Sequence, residues 1–467
     1  MDRTSVAETG GFAAIAGGLG SAVALPDALP GLSHRYGGHV AMALLAGREI
    51  VRTDYRGCSS GARQGLEDHT MQASRGVLAV AGRGASARSA APLAHGLVAE
   101  QAVAACLTGV VHNGPALRDA LVQGGALFGD TGQAEVLLQL MAQSRQRTLV
   151  NRLVEALERM VGGFSLVLIT DELAVAARDP RGFRPLWIGA RADGHAVSSD
   201  PSALAALGAQ DLRELAAGEV VLLEPGAPVR SLRPWGVFPR AACAMEWLGR
   251  GRAGSSFEGL SNYTVRDRLG RALAATCPAP GDVVVALPGA CAVAGQAFAQ
   301  QARIPFGTAF EPLTALPGAP TGAPDLHVIE PAVRNRSLVL VFAPETPSDL
   351  LHEAVGALRR TGASQVHLRC FGPLQVAECP YGLRLPSPAV APGAGVEPQT
   401  LEVWLRADSL EAATLSGLTT ALGREATGSC ALCLGGPAPL QARDAAATPQ
   451  LPLFEGGRSG IENVRLV

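Results

Sequence analysis

The chain has 467 residues, 48% of them hydrophobic and 17% charged, which is enough for two or three domains that each bury a core. A net charge of −2 gives no electrostatic reason to expect a nucleic acid as a partner. The sequence has neither an apolar run of the ~18 residues that span a bilayer nor the basic start of a signal peptide. We therefore expect a cytoplasmic protein without a membrane partner. All 39 residues counted as lysine or arginine are arginine, which excludes Schiff-base chemistry and a lysine-bearing phosphate loop.

The first half of the chain predicts mixed α and β structure. Residues 10–15 form a short apolar run entered through two glycines, which indicates a buried strand. Residues 148–161 place apolar side chains at helical spacing and end at a further pair of glycines. Two apolar runs around Asp171-Glu172 then predict a hairpin of half-buried strands, and Asp179-Pro180 breaks the chain after it.

The string ARDPRGFRPL at residues 177–186 is the most specific pattern in the chain. It resembles the central glutaminase motif of the amidophosphoribosyltransferases, the class II glutamine amidotransferases that open purine biosynthesis, and the resemblance extends over residues 10–436. It implies an N-terminal class II glutamine amidotransferase domain, an αββα sandwich of the Ntn-hydrolase type, at 1–230. It also implies a C-terminal type I phosphoribosyltransferase domain with a parallel sheet at 256–390. The remaining expected parts are an interdomain segment at 231–255, a C-terminal linker and helix with a cysteine pair at 391–436, and a flexible tail at 437–467.

The resemblance also identifies the positions of a glutaminase site. In that family a cysteine at the start of the first strand attacks glutamine, but the matching residue here is Gly10, which has no nucleophile. No catalytic residue is therefore expected. The residual glutamine-binding positions are Arg83 for the α-carboxylate, Asn113 and Gly114 for the oxyanion hole, and Asp130 for the amino group. The alternative interpretation of Arg83 is a solvated surface arginine. The alternative for Asn113 and Gly114 is an ordinary Asn-Gly turn.

The segment around Asp130 allows a second alignment with the family. Residues 129–136 read GDTGQAEV, and matching Glu135 to the glutamate of the family places Gln133 where the family has its aspartate. The sequence leaves both alignments open.

The second half of the chain alternates apolar strands with helices, the pattern of a parallel sheet. The predicted strands are 282–288, 337–342 and 365–368, and the predicted helices include 264–276, 292–302 and 348–360. Residues 346–349 predict a helix start with a capping threonine and a proline in the first turn. Residues 407–410 predict the start of a C-terminal helix, where Asp408 and Glu411 have the spacing of a capping box.

The phosphoribosyl pyrophosphate loop of the resembled family is missing. In that family the strand matching residues 338–341 runs into two aspartates, which bind the ribose hydroxyls, and into a glycine-threonine-threonine loop, which binds the 5-phosphate. Residues 342–349 read FAPETPSD instead, without the aspartates and without a glycine that lets the backbone approach a phosphate. We therefore expect neither phosphoribosyl pyrophosphate nor magnesium at this position.

Nine cysteines in such a chain indicate thiols or metal ligands in a reducing compartment. Some members of the resembled family carry a [4Fe–4S] cluster on four cysteines, and the matching positions here are Cys243, Cys379, Cys430 and Cys433. Four thiolates that include one C-x-x-C pair suit such a cluster, although zinc would accept the same ligands. The other five cysteines are explained as small core residues.

These observations lead to one main hypothesis and two alternatives. Without the nucleophile and the phosphoribosyl pyrophosphate loop, the chain is expected to be a degenerate family member that lacks both activities. It would retain glutamine as a residual ligand and act as a structural or regulatory partner, either as a homo-oligomer or beside an active paralogue. The first alternative is an active enzyme that makes 5-phosphoribosylamine from glutamine and phosphoribosyl pyrophosphate. The second is an iron–sulfur sensor or scaffold without small-molecule chemistry.

Overall fold

The computed structural model describes residues 10–17, 21–29, 32, 39–46, 49–56, 75–81, 93–129, 132–224, 226–312, 326–374, 376–377, 379, 381, 398–423 and 428–439. The chain divides into two compact units, one drawn from residues 1–242 together with Tyr381, and the other from residues 243–379 and 384–439. Within the described residues, no helix is both long and apolar enough to span a membrane.

Two antiparallel sheets build the first unit. Its strands are β1 (Gly10–Gly17), β2 (His39–Ala46), β3 (Glu49–Arg56), β4 (Arg75–Ala81), β5 (Leu93–Val98), β6 (Gln101–Val111), β7 (Gly162–Ile169), β8 (Ala174–Arg178), β9 (Trp187–Arg191), β10 (Gly194–Ser198), β11 (Gln210–Glu214), β12 (Val220–Leu223) and β13 (Arg230–Leu232). One sheet has the order β11-β9-β10-β1-β4-β2-β3, and the other has the order β13-β12-β8-β7-β6-β5. The predicted hairpin is the β7–β8 pair, in which Leu168 lies opposite Val175. Its strands are not half-buried as expected, because one face packs on the helices and the other on the first sheet, so that both faces are buried.

Helices cover the outer faces of both sheets. They are α1 (Gly114–Gln123), α2 (Gln133–Gln143), α3 (Leu149–Glu158) and α4 (Pro201–Ala206), with a 3-10 helix at Ser21–Ala28. One apolar cluster joins the facing sides of the two sheets through residues such as Phe12 and Val167. A second cluster packs α1, α2 and α3 on the second sheet, and a third packs the 3-10 helix and α4 on the first sheet. These four layers confirm the αββα sandwich expected from the sequence.

A parallel sheet forms the centre of the second unit. The elements from residue 242 onward are β14 (Ala242–Cys243), β15 (Ser256–Phe257), β16 (Leu260–Ser261), α5 (Asn262–Thr276), β17 (Val283–Ala286), α6 (Cys291–Ala302), β18 (Phe310–Pro312), β19 (Leu326–Val328), α7 (Glu330–Val333), β20 (Ser337–Phe342), α8 (Ser348–Arg360), β21 (Gln365–Cys370), α9 (Pro398–Leu405), β22 (Ser409–Ala412), α10 (Leu415–Leu422) and β23 (Ser429–Cys430), with a π-helix at Glu246–Arg250 and a 3-10 helix at Leu432–Leu434. Strands β17, β20, β21 and β22 pair in parallel in that order. Val284, Leu340 and Leu368 in these strands are buried, as expected for a parallel sheet, and the predicted sheet is confirmed.

The predicted helix start at residues 407–410 is wrong. Ser409–Ala412 is β22, the fourth strand of the sheet, and Ser409 lies opposite His367 of β21. Asp408 does not cap a helix, because its carboxylate accepts the N–H of Val366 at 2.6 Å. Pairing with a distant strand therefore overrides the local capping signal. The helix that follows is α10, and Thr414 caps it by accepting the N–H of Gly417 at 3.0 Å.

The predicted threonine cap of α8 is also wrong. Helix α8 spans the predicted residues Ser348–Arg360, but Pro347 rather than Thr346 occupies the cap position, and it has no side-chain cap bond. Pro347 has an extended ψ of 136°, which places Thr346 outside the helix.

Four buried arginines use their guanidinium groups to bind backbone carbonyls. Arg75, Arg178, Arg266 and Arg369 are each at most 3% exposed. Arg75, for example, donates to three consecutive carbonyl oxygens in the turn between β7 and β8, at 2.7, 2.6 and 3.0 Å. A planar fork of five donors suits several carbonyls at once, whereas lysine offers a single ammonium group. Buried arginines therefore bind backbone carbonyls inside both units in a way that lysine could not.

Candidate functional site

The turn after β6 holds two residues expected at a residual glutamine site. Asn113, which is 9% exposed, lies just before α1, and Gly114 is the first residue of that helix. The Asn113 amide nitrogen donates to the carbonyl oxygen of Arg159 at 2.8 Å, and its Oδ1 accepts the N–H of Val161 at 2.9 Å. Asn113 therefore fastens the turn to the segment that leads into β7. An amide nitrogen carries two hydrogens, and one bond to Arg159 uses only one of them.

Gln133 approaches the same turn from the start of α2. It is 8% exposed, and its Oε1 accepts the backbone N–H of Val111, the last residue of β6, at 2.7 Å. Glu135 accepts the N–H of Gly129 at 2.6 Å. Sequence reasoning raised Gln133 only as an alternative alignment and did not foresee its bond to Val111, since that bond joins residues 22 positions apart.

Gly10 begins β1 at the position where the resembled family has its nucleophile. It pairs with Ala81 of β4, and the backbone N–H of Phe12 donates to the Ser199 hydroxyl at 3.0 Å. With only hydrogen as a side chain, Gly10 offers neither a thiol nor a hydroxyl for covalent catalysis. Arg83 and Asp130, two further residues predicted for this site, lie outside the described residues, as does the tail from residue 440 onward.

The central motif forms a buried turn after β8. Asp179 is fully buried, and its carboxylate accepts the backbone N–H groups of Arg181 at 3.0 Å and of Phe183 at 2.9 Å. Burial raises the pKa of Asp179 to about 6, while Arg178 and the backbone N–H groups oppose the increase. The Arg178 guanidinium donates in turn to the carbonyl oxygen of Arg184 at 2.7 Å. These contacts hold the turn together and explain the motif as structural support.

The carboxyl edge of the parallel sheet carries an acid in place of the missing loop. Strand β20 ends at Phe342, and Glu345 follows before α8. A Cβ placed on Gly249, in the π-helix, would overlap the Glu345 carboxyl group, so the two residues are in direct contact. The Glu345 Oε2 atom is buried and forms no hydrogen bond within the described part of the chain. Burial raises the pKa of Glu345, and the nearby Arg266 and Arg250 oppose the increase.

The four cysteines expected to be metal ligands all lie in the second unit. Strand β14, which ends at Cys243, pairs with β23, which ends at Cys430. The Cys433 carbonyl oxygen accepts the N–H of Val376 at 2.9 Å, which ties the second 3-10 helix to the segment that leads to Cys379. Burial raises the pKa of the Cys433 thiol to about 12, and the neighbouring Cys379 and Cys430 thiols add to the increase.

The donor type of these four residues fits a thiolate-bound cluster. Among the residues that the structure describes, no three His, Cys, Asp or Glu side chains form a group that could hold a metal ion.

The two units together define a class of protein, in which a glutamine amidotransferase fold is joined to a parallel-sheet unit of the phosphoribosyltransferase type. A family described as glutamine amidotransferase domain matches residues 83–206. The chain is 30% identical, over 71% of its length, to amidophosphoribosyltransferase 1, chloroplastic, of Arabidopsis thaliana. It is 27% identical, over 70% of its length, to the amidophosphoribosyltransferase of Archaeoglobus fulgidus. It belongs to the amidophosphoribosyltransferase family. The matched part spans 62% of the Arabidopsis protein and 75% of the Archaeoglobus protein.

Two solved structures share the fold over 92% of the chain. Glutamine phosphoribosylpyrophosphate amidotransferase from B. subtilis, complexed with ADP and GMP, has a TM-score of 0.83 at 22% identity and covers 92% of this chain and 97% of its own. A structure described as the allosteric regulatory enzyme of purine biosynthesis has a TM-score of 0.84 at 23% identity and covers 92% of this chain and 96% of its own. Both confirm the fold class.

Proposed function

We propose that this protein lacks glutaminase and phosphoribosyl transfer activity and acts as a structural or regulatory partner in purine nucleotide biosynthesis in the cytoplasm. The observation that carries the proposal is Gly10 at the start of β1. Gly11 and Phe12, the next residues of the strand, have no nucleophile either. Removing the nucleophile of a triad enzyme lowers the rate on the order of a million-fold, so a glycine here removes most of the catalysis.

The edge of the parallel sheet supports the second half of the proposal. A loop that binds phosphate presents backbone N–H groups to it, but Pro344 and Pro347 have none to donate. Glu345 adds an acid where an anion would approach. In its ionised form, which burial disfavours, this acid would repel a phosphate, since two like charges about 4 Å apart repel by roughly 4 kcal/mol at an effective dielectric constant of about 20. Phosphoribosyl pyrophosphate is therefore disfavoured here.

The turn at Asn113 supports a residual glutamine site. The second hydrogen of its amide nitrogen and the N–H of Gly114 would be the donors to a bound carbonyl group, with Arg83 and Asp130 as the proposed partners of the amino acid ends. Because Gly10 supplies no nucleophile, bound glutamine would be released intact. This feature also favours the alternative of an active enzyme more than any other in the chain, since an oxyanion hole is part of a working glutaminase.

The glutaminase half is tested by measuring glutamate release from glutamine by the purified full chain. The Archaeoglobus relative, assayed in parallel, serves as the positive control. We expect no release above the rate without protein. Turnover within a hundredfold of the relative would overturn the proposal and establish the active alternative.

The phosphoribosyl half is tested by titration calorimetry with phosphoribosyl pyrophosphate and magnesium. We expect no heat of binding at millimolar ligand, because the acidic, proline-containing loop replaces the phosphate donors. A micromolar dissociation constant would contradict the proposal.

We also propose that Cys243, Cys379, Cys430 and Cys433 hold a [4Fe–4S] cluster whose role is structural. Such a cluster would link three separate segments of the second unit, which explains why these cysteines remain where catalytic positions have changed. Anaerobic purification, iron and sulfide analysis, and a visible spectrum test this assignment. We expect about four iron atoms per chain. Colourless protein with less than one iron per chain after reconstitution would refute it, and one zinc per chain would replace it with a zinc site.

The partner role separates this proposal from an isolated sensor or scaffold. We expect the chain to form a homo-oligomer or to bind an active paralogue, and light scattering on the purified protein, alone and mixed with such a paralogue, measures both. A monomer that binds no paralogue and changes its absorption spectrum on oxidation would favour the sensor.

A further inference from the structure

Three loops meet at the carboxyl edge of the parallel sheet, the place where open α/β sheets bind their ligands. The loop after β17 leads into Cys291, the loop after β20 contains Pro344 and Glu345, and Gly372 follows β21. Pro344 packs against Gly372, where an added Cβ would lie 2.9 Å from its ring. Glu345 lies near enough to Cys291 to contribute to the increase of the Cys291 pKa to about 12, which burial mainly causes. The loops therefore close on one another.

The side chain of Glu345 fills the space above a glycine of another segment. At Gly249 an added Cβ would overlap both carboxylate oxygens and the carboxyl carbon of Glu345, and no other atom is among its three nearest neighbours. An alanine at 249 would therefore require the Glu345 carboxyl group, the far end of a flexible side chain, to move. The contact joins the π-helix to the loop after β20, segments separated by almost one hundred residues of chain.

The surroundings of Glu345 suit a carboxyl group held inside the protein. Arg250 and Arg266 lie on the side of the π-helix and α5, and Cys291 and Cys370 lie on the side of the sheet. The Arg266 guanidinium is directed toward the chain around the π-helix, where its Nε donates to the carbonyl oxygen of Trp247 at 2.9 Å. The two arginines thus border the carboxyl group without taking its place.

We propose that the Glu345 carboxyl group is a built-in occupant of this crevice, which closes the ligand-binding edge of the second unit from within. If the Glu345 side chain were shortened, the crevice would accept a small carboxylate in its place. With the native Glu345 side chain, the crevice excludes larger anions. The inference rests on the proposed lack of phosphoribosyl transfer, to which it adds a physical obstruction beside the missing N–H donors and the added acid.

Labelling of Cys291 by a maleimide, followed by peptide mass spectrometry on the full chain, reports whether the crevice is closed. Cys291 is 3% exposed in the closed crevice, so the native protein should label slowly. Gly249→Ala should displace Glu345 and accelerate labelling on the order of tenfold, which corresponds to ~1.4 kcal/mol. Gly254→Ala is the matched control, because an added Cβ there meets no atom within 4 Å. Equal labelling rates in the two variants would overturn the proposal.

Chemical rescue tests whether the carboxyl group itself is the occupant. Glu345→Ala removes the equivalent of one acetate, so its faster labelling should return to the native rate in acetate and stay fast in chloride of the same ionic strength. Acetate without effect would overturn the assignment. If Glu345→Ala fails to fold, the Gly249→Ala comparison decides alone. Binding of phosphoribosyl pyrophosphate to the native chain would refute both the proposed function and the closed crevice. Rapid labelling of Cys291 in a native chain that does not bind this ligand would refute the closed crevice alone.

Discussion

Asp179 shows how one buried acid determines the response of the first unit to pH. Burial raises its pKa from 3.8 to about 6, so folding favours the protonated form. Its contribution to stability is complete below pH 4, where the acid is protonated in both states, and it is lost as the pH rises through 6. A difference of about two in pKa corresponds to roughly 3 kcal/mol. The sequence identified Asp179 within a specific motif, but its burial depends on strands far away in the chain.

Asp179→Asn should flatten this pH dependence. The variant cannot ionise, so its free energy of unfolding should change less than that of the native chain between pH 4 and 6. It should also be less stable at pH 4 by about 1–3 kcal/mol, because the amide nitrogen that replaces one oxygen of the protonated acid cannot accept the N–H group that this oxygen accepts in the native chain. Urea unfolding across this range measures both effects. Asp119→Asn, an exposed position on α1, should reproduce the native profile, and an unchanged slope for Asp179→Asn would contradict the assignment.

The β7–β8 hairpin illustrates what a local pattern predicts and what it misses. Two apolar runs around Asp171-Glu172 predicted the hairpin, and its pairing is as expected. The pattern did not reveal that Arg75, 95 residues before Thr170, holds the turn through three backbone carbonyls. Secondary structure follows from hydrophobic period and turn residues, which are local. A guanidinium that binds carbonyl oxygens leaves no such signature, because carbonyls are the same in every residue.

Arg75→Lys should loosen the turn while the sheets stay folded. A lysine ammonium lacks the planar fork, so at least one buried carbonyl would lose its donor, at a cost of about 1–3 kcal/mol. Hydrogen exchange should become faster for the amides at the ends of β7 and β8 and stay unchanged in β12. Arg147→Lys, an exposed position before α3, is the control. Equal exchange in the two variants would show that the clamp contributes nothing.

At the scale of the whole molecule, the fold class followed from a motif and from the alternation of strands and helices. Contacts between segments that are distant in the chain could not be predicted from these patterns. The contact of Glu345 with Gly249 and the pairing of β14 with β23 depend on backbone paths that no single segment encodes. The fourth strand was mistaken for a helix start because its stability comes from β21 rather than from its own residues.

The four cysteines proposed as ligands all lie in the second unit, which leads to a prediction for thermal unfolding. Each unit buries its own core, so we expect two transitions by calorimetry. Cys243→Ser should lower the transition of the second unit by several degrees through loss of the proposed cluster and leave the other transition in place. Cys106→Ser, a buried cysteine of β6, should do the reverse. A shift of both transitions by Cys243→Ser would contradict a role limited to one unit.

The buried arginine clamps make limited digestion with trypsin informative without any label. Trypsin cleaves after lysine or arginine, and this chain offers it arginine alone. The peptide bonds after Arg75, Arg178, Arg266 and Arg369 are protected for as long as their guanidinium groups hold backbone carbonyls in the interior. The order in which these four bonds are cut as urea increases would therefore rank the opening of the two sheets of the sandwich, the π-helix region and the parallel sheet.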